Sequence, residues 1–183
     1  CFNHSWDSLR HHNEKKLLFL LALHPEAVSR EALREISGIA DEDHFEVAVS
    51  DLLQFTLIEY EPDRDYFSIL PLTRRFVRTQ FTGDRKFIQQ AELRIAQYCA
   101  ALISQRSDFT EWRGYDKLLL DRNNILSAAQ WCYKSIQKKL PGTSSLSKKT
   151  RGIAEMLVQI GTQFGSVLWQ RAYWYDRLTL AHA

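Results

Sequence analysis

The chain has 183 residues, 45% of them hydrophobic and 25% charged, the composition of a soluble globular protein of one domain or two small ones. No apolar run reaches the about 20 residues of a membrane-spanning helix; the longest, Leu17–Leu23, has the length of a buried helix. Net charge is +2 but divided: residues 1–82 hold nine Lys/Arg against fourteen Asp/Glu, a balance of −5, and residues 83–183 hold fifteen against eight, a balance of +7.

Cys1-Phe2-Asn3-His4 lacks the basic start and apolar core of a secretory leader, and a chain that does not open on Met is expected to be a piece of a longer protein. Cys1, Cys99 and Cys132 have no paired spacing, which argues against a zinc site and fits a reducing cytosol. A cytoplasmic location is the expectation.

Taken in order, Asn13–Leu23 reads as a first helix, apolar nearly all round and therefore buried on most sides, ended by Pro25. Ser29 is placed to cap a second helix over Arg30–Ile36, with Gly38 as its stop. Asp41 caps a third, in which Phe45, Ala48, Val49, Leu52 and Leu53 keep i, i+3, i+4 order. Leu57–Glu61 and Tyr66–Leu70 then alternate at a period of two around Pro62-Asp63-Arg64-Asp65, which is turn chemistry, so the pair is expected to form a β-hairpin. Pro71 opens a fourth helix reaching about Phe81. Three helices followed by a two-stranded wing is the winged-helix arrangement.

Gly83-Asp84 marks the expected boundary between residues 1–82 and an α-helical region at 83–183. Arg85–Gln105 is an amphipathic helix, Ser107–Thr110 a loop, and Tyr115–Lys138 a further helix that Asn123-Asn124 caps or bends. Pro141–Lys149 is loop chemistry. Arg151–Leu168 reads as one long helix, where Gly161 and Gly165, one turn apart, predict close helix packing. Tyr173-Trp174-Tyr175 starts a last helix. The expected class is mainly α: a winged-helix domain with one β-hairpin, then helical hairpins stacked as in a superhelical repeat.

The chain contains no phosphate-binding G-x-x-x-x-G-K-[ST], no G-x-G-x-x-G and no G-x-S-x-G. His11 and His12 are adjacent and cannot share a helix face as metal ligands do, and the carboxylates of Asp41, Glu42, Asp43 and Glu46 lack the spacing and glycine of a calcium loop. No catalytic residue and no metal site is expected. A winged helix that reads DNA puts its third helix in the major groove. Here Asp41–Phe55 carries five acids and no Lys or Arg, and the wing offers only Arg64 between Asp63 and Asp65, so duplex binding by this module is not expected. Arg74, Arg75 and Arg78 form a basic patch, read either as a solvated face pairing with acids of the same domain or as a contact for another domain or a nucleotide phosphate.

The run Ser5-Trp6-Asp7-x-Leu9, then KKLLFLLALHPEAVSREALREISGI, then LIEY…YFSILPLTRRFV, resembles the winged-helix domain of NB-ARC-type STAND NTPases, particularly the bacterial regulatory proteins. Leu120-Asp121-Arg122-Asn123-Asn124-Ile125-Leu126-Ser127-Ala128-Ala129-Gln130-Trp131 is similar to the stretch that opens the helical, often tetratricopeptide-like, repeats following that domain. The resemblance implies a regulatory fragment of a signal-transduction ATPase, not itself an enzyme, with ATP or ADP and Mg bound only by the parent protein. It implies that the winged helix packs on the ATPase core, an intramolecular partner, and holds it closed with ADP bound. In much of the family a His before the fourth-helix proline senses the ADP phosphate; that place is Leu70, before Pro71, and Arg74 or Arg75 is the candidate substitute. The helical part is expected to receive a ligand or partner protein, with Trp169, Tyr173, Trp174 and Tyr175 as the contact surface or, alternatively, as packing for helices outside this chain. The reading from another class is a winged-helix nucleic-acid-binding transcriptional regulator using the basic half.

Overall fold

A computed structural model describes residues 6–9, 12–81, 84–106, 112–138 and 147–181. Ser5, His11, Gly83 and the loops expected at Ser107–Thr110 and Pro141–Leu146 lie outside the described residues. The fold is mainly helical with one small antiparallel sheet. The chain divides into two compact units, 1–91 and 92–183. Among the described residues no helix is long and apolar enough to cross a membrane.

The first unit is built on α1 (His12–Leu23), whose residues from Leu17 to Ala22 are all buried. Burying one such side chain contributes about 1.5–3 kcal/mol, so this helix is the main source of core area. The strand β1 (Val28–Ser29) leads directly into α2 (Arg30–Ser37). Ser29 accepts from the Ala32 N–H at 3.1 Å, and Gly38 (φ 63°) closes the helix in the left-handed region that glycine adopts without strain. Asp41 caps α3 (Glu42–Gln54) by accepting from the His44 N–H at 3.1 Å. At its far end Leu57 N–H donates to Leu52 O at 3.0 Å and Thr56 N–H to Leu53 O at 2.9 Å, the Schellman pattern. Thr56 occupies the left-handed position (φ 52°) where glycine is usual.

The hairpin follows as β2 (Glu59–Glu61) and β3 (Tyr66–Ser68), and α4 (Pro71–Gln80) starts with Pro71 at its first turn. The sheet order is β1-β3-β2, so β1 is a third strand that the sequence did not announce: two residues are too few for alternation to register. Val28, Phe67 and Tyr60 are in register across it, and Phe67 is fully buried. Arg30 fastens this sheet to the helices. Its guanidinium meets Glu46 of α3 at 2.5 Å and Asp65 of the turn at 3.0 Å, and lies over the rings of Tyr60 (5.4 Å) and Phe67 (5.1 Å). The Tyr60 hydroxyl donates to the same Asp65 carboxylate at 2.9 Å.

Helix α5 (Arg85–Arg106) carries the boundary between the units. Within the second unit the single helix expected over Tyr115–Lys138 is two, α6 (Trp112–Leu120) and α7 (Arg122–Gln137), parted at Asp121. The loop expected to run to Lys149 ends earlier. Ser147 accepts from the Thr150 N–H at 3.2 Å and starts α8 (Lys148–Gln159), which packs along α7. The long helix expected to Leu168 is interrupted by a π-helical turn at Ile160–Phe164 before α9 (Gly165–Gln170). The close packing expected at Gly161 and Gly165 is not found among the described residues: a Cβ at either would meet none of their atoms within 4 Å. The glycines instead sit in and just after the widened turn, where weaker helix preference eases the change of period. A second Schellman pattern, Ala172 N–H to Trp169 O at 3.2 Å and Tyr173 N–H to Leu168 O at 2.9 Å, turns the chain into α10 (Trp174–Ala181). Ala172 is its left-handed residue (φ 61°).

Candidate functional site

Leu70 stands just ahead of α4, 42% exposed, and Pro71 is exposed beside it. One turn on, Arg74 and Arg78 reach back to the last two carbonyls of α1 and the two that follow it. Arg74 Nη1 donates to Pro25 O at 2.7 Å and also to His24 O. Arg78 Nε donates to Ala22 O at 2.8 Å and Nη2 to Leu23 O at 3.4 Å. His24 completes the set: its Nδ1 lies 2.9 Å from Leu20 O, and it donates there as the neutral Nδ1–H tautomer. Two cations at the negative end of a helix dipole are well placed, and hydrogen bonds from charged groups are the stronger kind.

The surroundings set the protonation states. Burial, opposed by the Leu20 hydrogen bond and reinforced by Arg74, lowers the His24 imidazole to about 4. Burial and the neighbouring Arg78 also lower the Arg74 guanidinium from its ordinary value. The arginine patch therefore neither faces solvent as a block nor pairs with acids of its domain; two of its three members are spent on backbone oxygens. Arg75 is the third, exposed and without a partner among the described residues. An acceptor arriving from outside the unit would find Arg75 available and Leu70, Pro71 and the 70% exposed Leu72 beside it.

The aromatic residues of the second unit are drawn together by the Ala172 turn. Trp169 and Trp174 meet edge to face at 4.2 Å, and Arg177 lies over Trp169 at 4.3 Å. Arg122 lies over Tyr173 at 4.6 Å and pairs with Asp176 at 3.3 Å, close enough for charge pairing but not aligned for a hydrogen bond. Trp169 and Trp174 remain 51% exposed and Tyr175 83%, joined by the exposed Leu178. Residues of this kind carry most of the energy at protein interfaces.

The chemistry available elsewhere is limited. Cys99 and Cys132 are buried; burial pushes both thiols up, Cys132 to about 12, so neither is a thiolate nucleophile near neutral pH. His12, Glu14 and His44 border a cleft of about 260 Å³ beside Val47 and Ala48, but no group of three or more metal-ligating side chains forms among the described residues. On α3, Glu42, Asp43, His44, Glu46 and Val47 face outward.

Arg30 and the Lys148-Lys149 pair were not singled out in the sequence. Arg30 follows a capping Ser and its partners are 16 and 35 residues away, separations with no periodic signature. The lysines were legible in principle, because Ser147-x-x-Thr150 is a helix start. No family model matches the chain, and neither a curated protein nor a solved structure matches it.

Proposed function

We propose that the first unit is a winged-helix regulatory module of an NB-ARC-type STAND ATPase and the second the start of its tetratricopeptide-like repeats. The chain does no chemistry. It acts in the cytoplasm, by packing on the ATPase core of its parent in the ADP state and by receiving a protein or ligand on the helical part. What supports this is the order helix, strand, helix, helix, strand, strand, helix in the first unit, together with the family-like stretches of sequence.

The observation that carries the choice between regulation and nucleic-acid binding is the outward face of α3. The helix that would enter a major groove presents Glu42, Asp43 and Glu46 and has no Lys or Arg of its own; the cations beside it, Arg30 and Arg34 of α2, are paired with Glu46 and Glu42. Neutralising phosphates and releasing counterions requires the opposite charge. On this reading Leu70, Pro71 and Arg75 meet the ATPase core, and Arg74 holds the α1 end behind them.

The test is retention of duplex DNA by the chain in a gel-shift series from low to physiological salt. No retention is expected at any step. Retention that falls steeply with salt would replace this reading with a nucleic-acid-binding regulator. The parent reading frame is the second check: a G-x-x-x-x-G-K-[ST] stretch after a strand is expected ahead of residue 1.

A further inference from the structure

The second unit holds a groove of about 510 Å³ between α5 and α8, away from the aromatic cluster. On α8 its lining recurs at helical spacing over the twelve residues from Lys148 to Gln159, about 16 Å at the rise of an α-helix. Half-buried Leu93 of α5 and Met156 of α8 line it, over the buried side chains of Ala100 and Ile153. One end is shut, because Gln159 Nε2 donates to Ala100 O at 3.0 Å and to the Ser104 hydroxyl. The other end is cationic, with exposed Lys148 and Lys149 in the first turn of α8, and among the described residues no acid lines the groove. Midway, Gly152 leaves the space in front of its Cα empty to 4 Å.

We propose that this groove binds an acidic amphipathic helix of a partner protein. A three-turn helix matches the length of the lining, and such a helix buries apolar side chains at i, i+3/i+4 and i+7. Its apolar face lies on Leu93 and Met156, with the closest backbone approach over Gly152. Its carboxylates lie against Lys148 and Lys149. The charge of the groove selects an acidic partner over a basic one. The site goes beyond the function proposed above and stands without it, since nothing in the first unit enters the argument.

The test uses the full chain and a designed three-turn amidated peptide of Leu and Glu, fluorescently labelled, with a Leu and Lys peptide of the same pattern as control. Anisotropy is expected to show binding of the Glu peptide that weakens with salt, and none of the Lys peptide. Gly152→Leu fills the groove where there is room and raises helix propensity, so Tm should not fall while affinity drops by roughly tenfold or more. Lys148→Glu with Lys149→Glu should lower affinity for the Glu peptide at an unchanged Tm. Equal binding of both peptides, or undiminished binding by the folded Gly152→Leu variant, would overturn the proposal. So would binding of dodecanoate with the same variant sensitivity while the peptide fails to bind, an outcome that marks the groove as a small-amphiphile site.

Discussion

His24 is kept neutral by burial at a place where the imidazole has one hydrogen-bond partner and a guanidinium bound to its own carbonyl. Its unfolded value is 6.5 and its folded value about 4, so between these pH values the unfolded chain binds the extra proton. The stabilisation is complete above pH 6.5 and declines as pH falls towards 4, by about 3 kcal/mol in all. Urea unfolding at pH 7 and pH 5 should show this slope, and His24→Gln should remove its share while leaving the general carboxylate titration. A slope identical in the two proteins would mean that His24 protonates without resistance. The sequence placed this histidine before a proline at a helix end, but did not indicate its burial, because the arginines that enclose it come 50 residues later.

At the scale of the element, the end of α1 explains which arginine is available for a partner. Arg74 holds two backbone oxygens, and hydrogen bonds to a charged group contribute about 1.5–3 kcal/mol, less here because the side chain is only partly buried. Arg74→Ala should therefore cost on the order of 1–2 kcal/mol in urea unfolding, whereas Arg75→Ala should be within about 0.5 kcal/mol of the parent. On the function proposed above, a loss of ADP affinity in the parent protein on Arg74→Ala would be ambiguous between contact and folding. The same loss on Arg75→Ala, at unchanged stability, would assign the contact. Helix starts and stops were the legible part of this unit: Ser29, Gly38, Asp41 and Pro71 each act where their chemistry places them. What was not legible were the two breaks inside the helices of the second unit. Asp121 leaves the helical conformation (φ −94°, ψ 11°) with no Pro or Gly beside it, and the π turn at Ile160–Phe164 keeps a helical backbone while shifting the apolar period, so Gly161 and Gly165 do not announce it.

At the scale of the whole molecule, the division of charge seen in the sequence falls on two units with different surfaces: an acidic α3 in the first, and a cationic groove end and arginine-clasped aromatics in the second. That contrast came from counting residues; the groove could not, since it is space between two helices whose lining residues are 47 or more apart in the chain. The Schellman ends of α3 and α9 add one more property. Each unit has one helix end that forces a side-chain-bearing residue, Thr56 or Ala172, into a left-handed backbone that costs about 1–2 kcal/mol. Glycine at either place should recover about 1 kcal/mol after the extra freedom it gives the unfolded chain, more at branched Thr56 than at Ala172. Because the two positions lie in separate units, Thr56→Gly and Ala172→Gly act as independent thermostats, and thermal melts of each variant will tell which half gives way first.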